Sequence, residues 1–121
     1  MLAGTLIAES LRPGTTLDEV TLTVRKIVRH APSGITEDQP PIWTNIDFEI
    51  ADADGDALAS ALAATLDERG WYANYESATE AFVVFPGQVF RYARGDAAGR
   101  ARAQAHGRLC GIPEPQLDWT V

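Results

Sequence analysis

The stretch EAFVVFPGQVFRYARGD, residues 80–96, decides the fold. Five apolar residues precede Pro86-Gly87, a pair typical of tight turns, and a second strand-like run follows it. This pattern predicts a β-hairpin whose first strand is central in a sheet and buried on both faces. Gly95 then makes a corner and Asp96 caps a following helix, so we interpret Arg-Gly-Asp at 94–96 as a strand-to-helix junction rather than an adhesion motif.

Alternation of apolar and polar residues predicts further strands on the N-terminal side of the hairpin. Short strands are expected at residues 4–11 and 71–75, and another begins at Val20. In that third strand, Ile27 has the opposite parity from the apolar residues before it. The change of parity indicates a β-bulge near Arg25-Lys26.

Residues 42–50 predict a strand with two different faces. Ile42, Ile46, Phe48 and Ile50 point to one side, and Trp43, Asn45, Asp47 and Glu49 point to the other. Carboxylates that share a partly buried face can act as general acid and base. Trp43, Asp47 and Glu49, beneath the loop at 31–41, therefore form an alternative candidate pocket, that of a small enzyme.

Two helices are predicted. Leucines recur every four residues from 58 to 66, the spacing of one helical stripe, and Gly70 is expected to end this helix. Either Asp54 or Asp56 can cap its N-terminus. The second helix ends near Gly111, and its stripe consists mostly of alanine. Such a thin stripe allows a helix to lie close to a sheet.

These elements predict an α+β fold: a two-layer sandwich with a mainly antiparallel sheet of about six strands and two helices on one face, ferredoxin-like or related. We interpret residues 1–121 as one domain. Residues 31–41 hold three prolines and a glycine, which predicts a flexible loop, and residues 112–121 predict a docked tail. Asp-Ala at the start of each helix also raises the hypothesis of a duplicated strand–strand–strand–helix unit.

The composition excludes several classes of function. A net charge of −7 argues against a general attraction to nucleic acid or to an anionic membrane surface. No stretch approaches the roughly 20 apolar residues of a membrane span, and no signal peptide is expected at the N-terminus. Cys110 is the only cysteine, which favours a reducing cytoplasm. Nine arginines against one lysine indicate a bacterial protein from a GC-rich genome.

The sequence contains none of the common catalytic or metal-binding motifs. His30, His106 and Cys110 do not have the spacing of zinc ligands, and the acidic run at 52–56 lacks the glutamate that ends a calcium loop. Neither a nucleophile elbow nor a phosphate-binding glycine motif is present. We therefore expect no metal and no cofactor, and we favour a non-enzymatic binding or protein-interaction module over an enzyme.

The charge layout gives the main candidate binding surface. Residues 88–113 carry five arginines against one aspartate, although the whole chain is acidic. Such a segment can contact an acidic protein, a second copy of this chain in a homodimer, or a small anionic ligand. The side chains predicted for this surface are Trp71, Arg91, Tyr92, Arg94, Arg100 and Arg108. The two aromatic residues are included because interfaces favour Trp and Tyr.

Overall fold

A six-stranded sheet and two helices form the fold. The computed structural model describes residues 1–119. The strands are β1 (Leu2–Ile7), β2 (Thr23–His30), β3 (Trp43–Ile50), β4 (Ala73–Glu76), β5 (Glu80–Phe85) and β6 (Gln88–Ala93), and the helices are α1 (Gly55–Thr65) and α2 (Ala97–Leu109). The predicted α+β class, with a mainly antiparallel sheet of about six strands, is confirmed.

The strand order is β2-β3-β1-β4-β5-β6, and every neighbouring pair is antiparallel. Because β3 and β4 are both antiparallel to β1, they run parallel to each other, and α1 connects them across β1. The order of elements along the chain, βββαβββα, differs from the βαββαβ order of ferredoxin-like folds. The unit βββα occurs twice in this order, as the hypothesis of a duplicated unit requires. The strand orders of the two halves nevertheless differ, because β4, β5 and β6 follow one another in the sheet whereas β1 lies beside β3.

The structure corrects the expectation that both helices pack on one face. Successive residues of β5 point to opposite sides of the sheet. Phe82 and Val84 pack with Leu58 and Leu62 of α1. Their neighbours Ala81, Val83 and Phe85 pack with Ala103 of α2. The sheet is therefore covered by α1 on one face, the α1 face, and by α2 on the other, the α2 face.

Helix α1 ends earlier than the position of Gly70 suggested. Its last residue is Thr65, and the next residue, Leu66, is extended and forms a β-bridge with Leu11. The Thr65 carbonyl accepts a hydrogen bond from the Arg12 backbone N–H at 2.7 Å instead of continuing the helix. Tertiary pairing therefore ends this helix, and Gly70 makes a later turn at φ +79°.

Helix α2 begins as the sequence predicts. Gly95 makes the corner at φ +88°, and the Asp96 carboxylate accepts a hydrogen bond from the Gly99 backbone N–H at 3.1 Å. Gly99, Ala103 and Gly107 form the buried stripe of the helix. A Cβ added at Gly99 would lie 2.6 Å from the Tyr92 Cβ, so only glycine allows this close approach.

The register of β2 and β3 confirms two further predictions. The ladder between them shifts between Val24 and Lys26, which is the predicted bulge, and Ile27 consequently lies on the same face as Val24. In β3, Phe48 and Ile50 belong to the core under α1. Trp43, at the start of β3, points to the α2 face, as the alternation required.

The C-terminal tail docks on the α2 face through its apolar residues. Ile112, Leu117 and Trp119 are buried, and the Trp119 indole N–H donates to the Tyr92 hydroxyl at 3.0 Å. The predicted docking of residues 112–121 is thus seen as far as residue 119. Thr120 and Val121 lie outside the described residues.

Candidate functional site

Arg91 has acidic partners on the α1 face. Its guanidinium donates to the Asp56 carboxylate at 2.9 Å and to the Glu80 carboxylate at 2.7 Å, and it lies 5.1 Å from the Phe82 ring centroid. The hydrogen bonds to Glu80 raise the pKa of Arg91. This arginine joins the start of α1 to β5, on the face opposite α2.

The other arginines of the predicted surface are also engaged within the chain. Arg94 lies 3.6 Å from a Glu76 carboxylate oxygen and donates to the Ser77 carbonyl at 2.8 Å. Arg100 donates to the Trp119 carbonyl at 2.9 Å, and Arg108 forms an ion pair with Glu114.

The structure does not gather the six predicted residues on one surface. Trp71 and Tyr92 are only 5% and 6% exposed, respectively. Arg91 lies on the α1 face, whereas Arg100 and Arg108 belong to α2. The four predicted arginines therefore make separate ion pairs and hydrogen bonds in the folded chain and do not form one surface.

The alternative pocket residues are only partly brought together. Trp43 lines a cleft on the α2 face, at the half of the sheet that α2 leaves uncovered. Asp47 lies on the same strand face but accepts a hydrogen bond from the Thr5 hydroxyl at 2.7 Å. Glu49, two residues beyond Asp47 on the same strand face, is farther from Trp43 along β3. Its carboxylate lies 3.6 Å from the Arg25 guanidinium. Neither carboxylate lines the cleft.

We call this cleft the loop–tail cleft. It has a volume of about 610 Å³, within the usual range of ligand pockets. Strands β1 to β4 form its floor, the 31–34 segment forms one wall and the 115–118 segment forms the other. Its lining side chains include Thr5, Ile7, His30, Pro32, Ser33, Trp43, Trp71, Tyr72, Asn74, Pro115, Gln116 and Asp118.

A pair of glutamine amides holds the two walls together. Gln39, which is 5% exposed, donates to the Gln116 Oε1 at 3.2 Å, and Gln116 donates to the Gln39 Oε1 at 3.0 Å. Gln39 also donates to the Gly70 carbonyl at 3.0 Å and accepts from the Thr36 backbone N–H at 3.0 Å. Gln116 donates in addition to the Gly34 carbonyl at 2.8 Å. The loop at 31–41 is therefore tied to the tail.

Aromatic rings form the inner end of the loop–tail cleft. The Trp43 and Trp71 ring centroids lie 5.0 Å apart, and the Trp43 indole N–H donates to the Pro40 carbonyl at 2.9 Å. Tyr72 donates its hydroxyl hydrogen to the Gln116 carbonyl. Burial raises the pKa of Tyr72 and the nearby Asp118 carboxylate adds to the rise, so this phenol stays neutral.

The charge of the cleft lining differs from that of the arginine-rich segment. Among residues 1–119, no lysine or arginine lines the cleft, and its only ionisable side chains besides Tyr72 are His30 and Asp118. The local field thus disfavours an anionic ligand. A neutral or positively charged group is compatible with this lining, because Asp118 is exposed at the rim.

Two buried polar atoms at this end of the sheet have no hydrogen-bond partner within residues 1–119. They are His30 Nε2 and Asn45 Oδ1. His30 lines the cleft, and Asn45 lies opposite Ile7, another lining residue, in the β1–β3 ladder. Buried polar atoms are nearly always satisfied by protein, water or ligand. Of the two, only His30 belongs to the cleft lining, so its Nε2 is the one that a group bound in the cleft could approach.

Other kinds of site find no support within residues 1–119. No group of three or more His, Cys, Asp or Glu residues there is arranged to hold a metal ion. No helix in the same part of the chain is long and apolar enough to cross a membrane. Burial raises the pKa of the Cys110 thiol, which makes it a poorer nucleophile.

Comparisons of the chain with protein-family models, with curated proteins and with solved structures return no match. The site is therefore interpreted from its own geometry. Sequence reasoning named Trp43 for a pocket under this loop and Trp71 for the arginine-rich surface, but it did not name Thr5, His30 or Asn74, since no motif links them. The length of the 31–41 loop was the one signal that pointed to this region.

Proposed function

We propose that this protein is a non-enzymatic protein-interaction module that binds an extended segment of its partner in the loop–tail cleft. One observation carries the proposal. The cleft combines an aromatic inner end with a lining side chain, His30, whose Nε2 is buried and has no hydrogen-bond partner within residues 1–119. Clefts that join aromatic surface to a few placed polar groups are typical binding sites.

The shape of the cleft favours an extended chain segment. Its walls are two chain segments, 31–34 and 115–118, and both contain a proline whose ring lines the space. Aromatic and proline surfaces of this kind accommodate extended, proline-containing peptides, which lose little entropy on binding. Thr5, Asn74 and Gln116 supply hydrogen-bonding side chains along the same lining.

The charge of the cleft sets the preferred side chains of the partner. Asp118 stands at the rim without a lysine or arginine in the lining, and the whole chain has a net charge of −7. A partner segment with an arginine or lysine at this point is therefore favoured over one with a glutamate. The acidic partner expected for the arginine-rich segment stays a prediction, although Arg91, Arg94 and Arg108 have acidic neighbours within the chain.

No observation on the residues of the alternative pocket favours the hypothesis that the protein is an enzyme. Asp47 is hydrogen-bonded to Thr5 and Glu49 lies beside Arg25, and neither lines the cleft beside Trp43. The enzyme alternative therefore stays a hypothesis from the sequence. The cytoplasmic location and the bacterial source also stay predictions, based on the single Cys110 and on the arginine-rich composition.

The test uses three dye-labelled decapeptides with blocked ends. Each consists of prolines except for one central residue, which is Arg, Gln or Glu. Fluorescence anisotropy is expected to show binding in the order Arg, Gln, Glu. The Ser33→Trp variant, which fills the cleft mouth from an exposed position, should weaken the Arg peptide about tenfold or more. Thr16→Trp, at an exposed position outside the lining, is the matched control and should leave the affinity unchanged.

A second variant separates charge from shape. Asp118→Asn should abolish the preference for Arg over Gln while retaining the affinity for the Gln peptide, because it removes only the rim charge. Equal binding of the three peptides to the wild-type protein, or no binding below about 1 mM, would contradict the proposed function.

A further inference from the structure

Strand β2 has an open edge, and of its residues only the last, His30, also lines the loop–tail cleft. It is an edge strand of the sheet, and within residues 1–119 its only ladder partner is β3, with Arg25 unpaired at the bulge. No backbone hydrogen bond from another segment of residues 1–119 reaches its outer side. The outward N–H and C=O groups of β2 are consequently available to a further strand.

Most side chains of β2 are exposed to solvent. Residues 23–27 are all exposed, and Val24 and Ile27 have 51% and 62% of their surface accessible. The bulge between Val24 and Lys26 places both apolar side chains on the α1 face. A strand added at this edge would cover them and would remove apolar surface from water.

The charge of β2 is opposite to that of the chain. The eight residues of this strand include Arg25, Lys26 and Arg29, whereas the whole protein has a net charge of −7. The ion pair between Arg25 and Glu49 is long, at 3.6 Å, and Arg29 lies near Glu9. Lys26 is exposed and has no ion pair within residues 1–119.

These charges select the occupant of the edge. A second copy of β2 would place arginines and a lysine close to the same cations, and opposed like charges destabilise a strand pair. Basic residues on edge strands therefore protect a protein against pairing with itself. They attract an acidic strand for the same reason.

We propose that β2 accepts an acidic, extended segment of another protein as a seventh strand of the sheet. Successive side chains of such a segment point alternately to the α1 face and the α2 face of the sheet, as those of β2 do. Its apolar residues face Val24 and Ile27 on the α1 face, and its carboxylates face Lys26 on the α2 face. Backbone hydrogen bonds supply affinity and this alternation supplies specificity, as in other strand-addition complexes.

The test uses the whole chain and two blocked octapeptides, one alternating Glu with Val and the other alternating Lys with Val. Amide hydrogen exchange and ¹H–¹⁵N spectra are recorded with each peptide. The Glu-Val peptide should slow exchange of outward-facing amides in residues 23–30, with binding that weakens as salt rises. The Lys-Val peptide should cause no protection.

Variants connect this protection to the named side chains. The double variant Arg25→Glu, Lys26→Glu should weaken binding of the Glu-Val peptide about tenfold or more. Ile27→Thr keeps every charge and suits a strand, so it should also weaken binding while the protein stays folded. Arg102→Glu, at an exposed position on α2, is the matched control and should have no effect.

Three results would overturn the inference. The Glu-Val peptide can fail to protect residues 23–30 at millimolar concentration, or it can shift only the resonances of the loop–tail cleft. Alternatively, the protein without peptide can double its molar mass at high concentration with the same amides protected. That last result would assign the edge to a second copy of this chain. Because the proposed function concerns proline-containing peptides in the cleft, either proposal can fail while the other stands.

Discussion

Replacement of Gln39 by leucine tests how the walls of the loop–tail cleft are held. The leucine keeps a similar volume but removes four hydrogen bonds, two of which join Gln39 to Gln116. Each such bond contributes about 0.5–1.5 kcal/mol net, and partial hydration of the freed groups offsets part of the loss. We expect the free energy of unfolding to fall by about 2–3 kcal/mol.

The assay is urea unfolding followed by tryptophan fluorescence and circular dichroism, with Gln104→Leu as the matched control. Gln104 is half-buried, and its side chain donates a hydrogen bond to the Leu117 carbonyl at 3.0 Å. Loss of this bond in Gln104→Leu should lower the free energy of unfolding by about 1 kcal/mol. A double-mutant cycle with Gln116→Leu should show coupling of about 1 kcal/mol or more. If Gln39→Leu costs no more than Gln104→Leu, the amide pair does not hold the loop to the tail.

Two further predictions concern Glu9 and Gly99. Burial raises the pKa of Glu9, but hydrogen bonds from the Thr44 N–H at 2.6 Å and hydroxyl at 2.9 Å, with the charge of Arg29, bring it below the usual value. The lowered folded-state pKa stabilises the protein above the unfolded-state pKa, and this contribution is lost as pH falls through the folded value. Glu9→Gln should therefore reduce stability at pH 7 and flatten the acid side of a stability–pH curve, whereas an unchanged curve would exclude this role. Gly99→Ala should cost about 1–3 kcal/mol in urea unfolding, because the new Cβ meets the Tyr92 Cβ; a gain in stability, as expected from helix propensity alone, would refute that contact.

Local signals predicted much of the fold. The Pro86-Gly87 turn, the Asp96 cap and the bulge at Arg25-Lys26 each depend on a few neighbouring residues, and all three are present. The placement of α2 could also have been inferred, because an apolar run at 81–85 needs cover on both faces of its strand. The end of α1 could not be predicted from Gly70, since the pairing of Leu66 with Leu11 ends it from a distance.

The site was less accessible to sequence reasoning. The cleft exists because Gln39 meets Gln116, a contact across 77 positions that no local pattern reveals. The basic segment at 88–113 looked available because its acidic partners lie outside it in the sequence, as Asp56 does for Arg91. The sequence could show the charge of a segment but not which charges meet in the folded chain.

The most direct test of the loop–tail cleft is a ¹H–¹⁵N titration of the whole chain with the blocked proline decapeptide that carries a central arginine. The indole N–H signals of Trp43 and Trp71 report on the cleft, and the backbone amide of Arg102, on α2 and outside the lining, serves as an internal reference. We predict progressive shifts of the two indole signals and of the Thr5 and Asn74 amides, with a much smaller change at the Arg102 amide. Shifts confined to other surfaces, or none at millimolar peptide, would contradict the assignment of this cleft as the binding site.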